Sequence, residues 1–148
     1  MKLQKATLFA LYATLELARE PQRQFSTSDI AEKYGISTHH LAKVMRNLVR
    51  VGMIESVRGV GGGYRFAGDI DRTTLLDVIQ LFEPMESDLG LSGDASAAAV
   101  PILSGLRHVS DEMDDLMRAT LDSITLKTLL KNISNEAGRS APVSATGE

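Results

Sequence analysis

Seven side chains able to bond phosphate oxygens or base edges fall within thirteen residues: Thr38, His39, His40, Lys43, Arg46, Asn47 and Arg50. Between them stand Leu41, Val44, Met45 and Leu48, at spacings of three and four that put all four on one helical face. Such a helix turns its apolar stripe to a core and its cations to solvent. Arginine and lysine bind phosphates and guanine edges, and hydroxyls bond either. A second basic group follows, with Arg58 and Arg65 on either side of Gly59, Gly61, Gly62 and Gly63, and Tyr64 beside the glycines. Cations on a helix and on a glycine-rich tip suit a polyanion, and duplex DNA is the polyanion a single exposed helix fits.

The flanking residues say what positions these groups. Ser26, Thr27 or Ser28 can cap a first short helix carrying Ile30, Ala31 and Tyr34, because their oxygens accept from amides left unpaired in the first turn. Gly35 suits the left-handed position that ends a helix, and Ser37 or Thr38 caps the next. Two short helices joined by a glycine-containing turn make a helix-turn-helix. The run from Met53 to Val57, the tip from Arg58 to Gly63 and the run from Tyr64 to Ala67 then read as a hairpin. The fold class is therefore mainly α: a winged helix-turn-helix with a two-stranded wing. Its candidate DNA contacts are Ser28, Ser37, Thr38, His39, His40, Lys43, Arg46, Arg50, Arg58, Gly61, Gly62, Tyr64 and Arg65. An ordinary helical hairpin with a solvated face would carry similar residues on its helix, but has no need of the basic wing.

The glycines fail as a nucleotide loop. A dinucleotide fingerprint opens a helix, and a phosphate loop needs lysine followed by Ser or Thr; here Tyr64, Arg65 and Phe66 continue as a strand. No nucleophile–base pair or metal motif stands out either, so no enzyme is expected. His39, His40 and His108 have no metal-binding spacing, and adjacent histidines diverge on a helix. Without cysteine, disulfides and thiolate ligation are excluded.

A net charge of −3 over 148 residues is a poor guide. Residues 1–68 hold ten Lys/Arg and five Asp/Glu, a net of +5, whereas residues 69–148 hold six and fourteen, a net of −8. The phosphate-facing surface belongs to the first part. The N-terminal apolar run is interrupted by Glu16 and spaced as an amphipathic helix (Ala6, Phe9, Ala10, Tyr12, Ala13, Leu17), not as a signal sequence. With no later run of membrane length, a soluble cytoplasmic protein is expected.

Four segments follow. Residues 1–84 form the winged helix, closed by a helix that Thr73 caps and Pro84 ends. Residues 85–104 are small and polar, and read as a mobile loop. Residues 105–134 hold a long helix, from about Pro101 to Asp122, and a short last one with Leu126, Leu129, Leu130 and Ile133 behind Thr125. Residues 135–148 read as a disordered tail. The long helix carries Leu106, Val109, Met113, Leu116, Met117 and Leu121. Either the chain's own core covers that stripe or a second copy does; little sequence remains for the former, which favours a homodimer.

The first helix MKLQKATLFALYA, the helix-turn-helix, the wing segment VRGVGGGYRFA and the long helix together resemble the Rrf-type ("Rrf-two") family of bacterial transcription regulators, over about residues 1–134. The run ISTHHLAKVMRNL is similar to that of its nitric-oxide-sensing (NsrR) branch. The resemblance implies a homodimeric repressor with crossed long helices on a palindrome-like operator. Many members hold an iron–sulfur cluster on three cysteines in the loop matching residues 86–104, and the nitric-oxide-sensing branch can add a carboxylate near the position of Leu8. This chain has Asp88, Ser92, Asp94 and Ser96 in the loop, and leucine cannot ligate iron. No cluster or other cofactor is expected, which leaves an unidentified small ligand, a protein effector or simple abundance as the control. The alternative is a winged-helix protein-interaction adaptor that has lost specific DNA binding.

Overall fold

The computed structural model describes residues 2–87, 89–91, 93 and 95–140. Asp88, Ser92 and Asp94 of the loop, and residues 141–148 of the expected tail, lie outside the described residues. The element order is α1 (Lys5–Arg19), α2 (Thr27–Tyr34), α3 (Thr38–Arg50), β1 (Ile54–Val57), β2 (Gly63–Phe66), α4 (Leu75–Ile79), α5 (Val100–Asp122) and α6 (Leu126–Ser140).

Helix α1 is the hub, touching α2, α3, α4, α6 and β2. It can be approached from so many sides because its inner face is short: Thr7, Ala10, Ala13 and Thr14 are fully buried beside Leu17. Ile30, Leu41, Met45, Leu48, Ile54, Val78 and Leu126 close the core around it. A fully buried leucine stabilises by about 1.5–3 kcal/mol.

The helix-turn-helix forms for local reasons. Ser26 and Asp29 make a reciprocal capping box at the start of α2. Gly35 ends α2 with φ 62°, and its N–H bonds back into the last turn, where any side chain would strain the backbone. Ser37 stands at the N-cap position of α3, but its hydroxyl makes no capping bond.

The wing pairs Ile54 with Phe66, Glu55 with Arg65, Ser56 with Tyr64 and Val57 with Gly63, antiparallel. A third segment joins it: Phe25 and Tyr64 exchange backbone hydrogen bonds of 2.9 and 2.8 Å. Gly63 makes this possible, since a Cβ there would overlap the Phe25 carbonyl.

Three readings of the C-terminal half need correction. The cap of α4 is Thr74, not Thr73, because Asp77 lies three residues after Thr74 and completes a capping box. Helix α6 runs to Ser140 instead of stopping near residue 134; once nucleated, a helix extends at little cost even without an apolar stripe. The segment expected to be mobile is held at its start. Met85 is buried, Arg118 Nη2 donates to the Met85 carbonyl at 2.9 Å, and the Ser87 N–H donates to Asp114 at 2.8 Å. The Ser87 hydroxyl also donates to Asp114, and these bonds hold that carboxyl below the usual aspartate range. Thr125 does cap α6, its hydroxyl accepting from the Thr128 N–H at 3.2 Å.

Glu16 is buried in α1 and accepts from Lys33 Nζ at 2.6 Å and the Tyr34 hydroxyl at 2.5 Å. Burial alone would push its carboxyl up, but the bonds from Lys33 and Tyr34 outweigh it and hold it below the ordinary value. Burial and the same carboxylate push Tyr34 up to about 12. The unfolded chain therefore takes up the proton first on acidification, and this contribution, full above the ordinary glutamate range, fades as pH falls through the folded value. Glu16→Gln should melt lower than the wild type at pH 7 and show a flatter loss of melting temperature below about pH 4.5. Parallel acid limbs in a thermal-melt series would remove Glu16 from the account.

Candidate nucleic-acid interface

Helix α3 buries Leu41, Val44, Met45 and Leu48. At 100° per residue, the face diametrically opposite carries His39, Lys43, Arg46 and Arg50, all exposed. Thr38 lies on one flank, His40 and Asn47 on the other, and the rings of His39 and His40 are 5.9 Å apart and tilted by 55°. Among the described residues Lys43, Arg46, Arg50 and Arg58 make no ion pair. Four unpaired cations held on a rigid helix and a hairpin tip form a surface suited to phosphate.

The other sequence candidates divide. Ser28 is exposed in the first turn of α2, and Ser37 is exposed before α3 with its hydroxyl free of the cap. Arg58 and Gly61 are exposed at the tip and Gly62 is half-buried there. Arg65 is less available than its position suggested, because it pairs across the strands with Glu55. Tyr64 is half-buried against the core beside Phe25, so its ring is first a packing element.

The long helix presents two faces. Ile102, Leu106, Val109, Met113 and Leu116, at alternating spacings of four and three, are 43–69% exposed, so the chain itself does not cover them. Met117 and Leu121 turn partly inward, on the side where Ser110 and Asp114 are buried. The single stripe read from the sequence is thus an exposed seam that includes Ile102 and a separate inner face.

The pattern missed two features. Phe25 is a lone aromatic between Gln24 and Ser26 with no alternation around it. Glu16 was legible only as a charge within an apolar run, although that position, among Ala13, Leu17 and Ala18, marks a buried ion.

A family model described as "Rrf2: Iron-dependent Transcriptional regulator" matches residues 3–132. The chain belongs to the Rrf2 family. It is 51% identical over 136 residues to BadM of Rhodopseudomonas palustris, covering 92% of this chain and 85% of that protein. It is 33% identical to the HTH-type transcriptional regulator NsrR of Bacillus subtilis, covering 89% of this chain and 92% of that one. Among solved structures, CymR, the global cysteine regulator of B. subtilis, superposes with a TM-score of 0.70 at 25% identity, covering 89% and 98% of the two chains. IscR of T. potens gives 0.72 at 26% identity, covering 96% and 93%. This Rrf2 protein is accordingly a transcription regulator with the family's winged-helix DNA-binding fold, and not an enzyme. Among the described residues no helix is long and apolar enough to cross a membrane.

The family description implies iron, and the donors present do not fit a cluster. The chain has no cysteine, and among the described residues no three His, Cys, Asp or Glu side chains converge. Asp114, a carboxylate near the start of the loop, is already engaged by Ser87.

Proposed function

We propose that this Rrf2 protein is a homodimeric, sequence-specific repressor that reads a palindrome-like operator and is controlled without an iron–sulfur cluster. The observation that carries the reading is the unpaired cationic face of α3 opposite the core, with Arg58 on the adjacent wing. In this reading Thr38, His39 and His40 at the N-terminal end of α3 meet base edges, whereas Lys43, Arg46, Arg50 and Arg58 meet phosphates. Ser28, Ser37, Gly61 and Gly62 bring hydroxyls and bare backbone close to the strand, and Arg65 joins by exchanging Glu55 for a phosphate. The exposed seam of α5, about 21 Å long from Ile102 to Leu116, buries itself against its symmetry mate.

Electrophoretic or anisotropy titration against genomic fragments tests this directly. One preferred duplex with two-fold symmetry should emerge, with half-sites about 34–36 Å apart centre to centre. Affinity should fall steeply with salt; six to ten phosphate contacts correspond to roughly 10³–10⁵ between 50 and 200 mM. Equal affinity for all duplexes at physiological salt would defeat sequence-specific reading, and no binding at all would favour a protein-interaction adaptor.

Cluster-independent control follows from the missing thiolates. Protein purified under strict anaerobiosis should be colourless, with no stoichiometric iron or acid-labile sulfide, and nitric oxide should leave its operator affinity unchanged. A brown preparation containing sulfide would refute this part of the proposal.

A further inference from the structure

Behind the recognition helix lies a cleft of about 540 Å³, walled by the start of α1, the α2–α3 turn, α3 and the residues after α4. Its floor is apolar: Ala6, Phe9, Ile36, Val44 and Phe82. Its rim carries Lys5, Lys43 and His40, and among the described residues no carboxylate lines it. The nearest acid in sequence, Glu83, is committed elsewhere, accepting from the Gln4 N–H and the Thr7 hydroxyl. Among the described residues neither Lys5 nor Lys43 has an ion-pair partner. An apolar recess of this size with a few convergent polar groups is the usual form of a small-molecule site.

We propose that this cleft binds an amphipathic organic carboxylate, its apolar body against Phe9, Val44 and Phe82 and its carboxylate between Lys5 and Lys43. A neutral apolar molecule would fill the floor but leave the lysines without a counter-charge; an inorganic anion would leave the floor wet. Lys43 and His40 belong to both the cleft rim and the outer surface of α3. A carboxylate held there neutralises a cation that the DNA phosphates need, so ligand and operator oppose each other. That opposition rests on the DNA-binding reading above, whereas occupancy of the cleft does not.

The full-length, ¹⁵N-labelled protein titrated with sodium octanoate, and separately with 1-octanol, tests the site. Octanoate should shift the amides of Gly35, Ile36, Lys43 and Val44 saturably and bind roughly fivefold or more tighter than octanol. Lys5→Gln should cut that difference, leaving only the part owed to Lys43, and Ala6→Phe should weaken both ligands by filling the floor. Lys5 is exposed, so its variant keeps the test open should Ala6→Phe fail to fold. Shifts confined to residues 102–116, equal affinities for acid and alcohol, or no saturable shift would each overturn the proposal. A second titration adds octanoate to the protein bound to its selected duplex, and operator affinity should fall in proportion to cleft occupancy. Cleft binding with unchanged operator affinity would overturn the opposition. Cleft binding by a protein that recognises no duplex would refute the DNA reading and leave the site standing.

Discussion

If the α5 seam is the dimer interface proposed above, Met113→Asp should leave a folded monomer in place of the dimer. Met113 is 57% exposed in the single chain and lies within the α5 seam, between Val109 and Leu116, so the substitution removes little from the core. In a two-fold interface each copy of the charge would lose water with no partner, and by symmetry the penalty is met twice. An uncompensated buried charge costs about 3–5 kcal/mol, which raises the dimer dissociation constant by at least two orders of magnitude. Sedimentation at low micromolar concentration should report one chain, the thermal midpoint should not depend on protein concentration, and operator affinity should collapse because two weak half-site contacts are no longer joined. A variant that stays dimeric under those conditions would place the interface off this seam.

The double variant Lys43→Ala/Arg46→Ala should lose most operator binding with its fold intact. Both side chains are exposed on the α3 face opposite the core and make no ion pair among the described residues. If both reach phosphates, the slope of log affinity against log salt should shrink in magnitude by about 1.8 per chain. Affinity should fall by roughly 10- to 150-fold for each charged group whose bond to phosphate contributes about 1.5–3 kcal/mol. Changes at Thr38 or His39 should instead redistribute affinity among operator sequences. A double variant with an unchanged salt slope would mean that α3 presents a different face to its partner.

The parts of this fold legible in the sequence are those specified within a few residues. The capping box at Ser26, the glycine at position 35 and the four apolar residues of α3 act over a turn or less, so their pattern and their structure coincide. Thr73 and Thr74 offered equal hydroxyls, and only the three-residue reach to Asp77 separates them. Non-local pairs were illegible. Phe25 finds Tyr64 across 39 positions, and nothing in its neighbours announces it. The seam of α5 was read as one stripe because spacings of three and four residues both keep successive apolar positions close on the helix surface. Two successive four-residue steps after Met113, each turning the helix by about 40°, carry Met117 and Leu121 round to the side of buried Ser110 and Asp114, while Ile102 falls in line with the exposed seam. In the candidate interface, residue types were legible but availability was not: Glu55 claims Arg65 and the core claims Tyr64.

The junction between α5 and α6 is fastened to the winged helix. Leu75 N–H bonds the Ile124 carbonyl at 2.9 Å, Leu126 N–H bonds the Thr73 carbonyl at 2.8 Å, and the Leu126 side chain is fully buried. The reading head and the joining helix therefore turn together, with no swivel at that end of α5. On DNA, inserting one base pair between half-sites rotates one by about 34° relative to the other, given roughly 10.5 base pairs per turn. A loosely hinged dimer would absorb that rotation. In the dimer proposed above, a junction fastened in this way would act as a gauge of helical phase, rejecting operators whose letters are right but whose spacing is off by a single step.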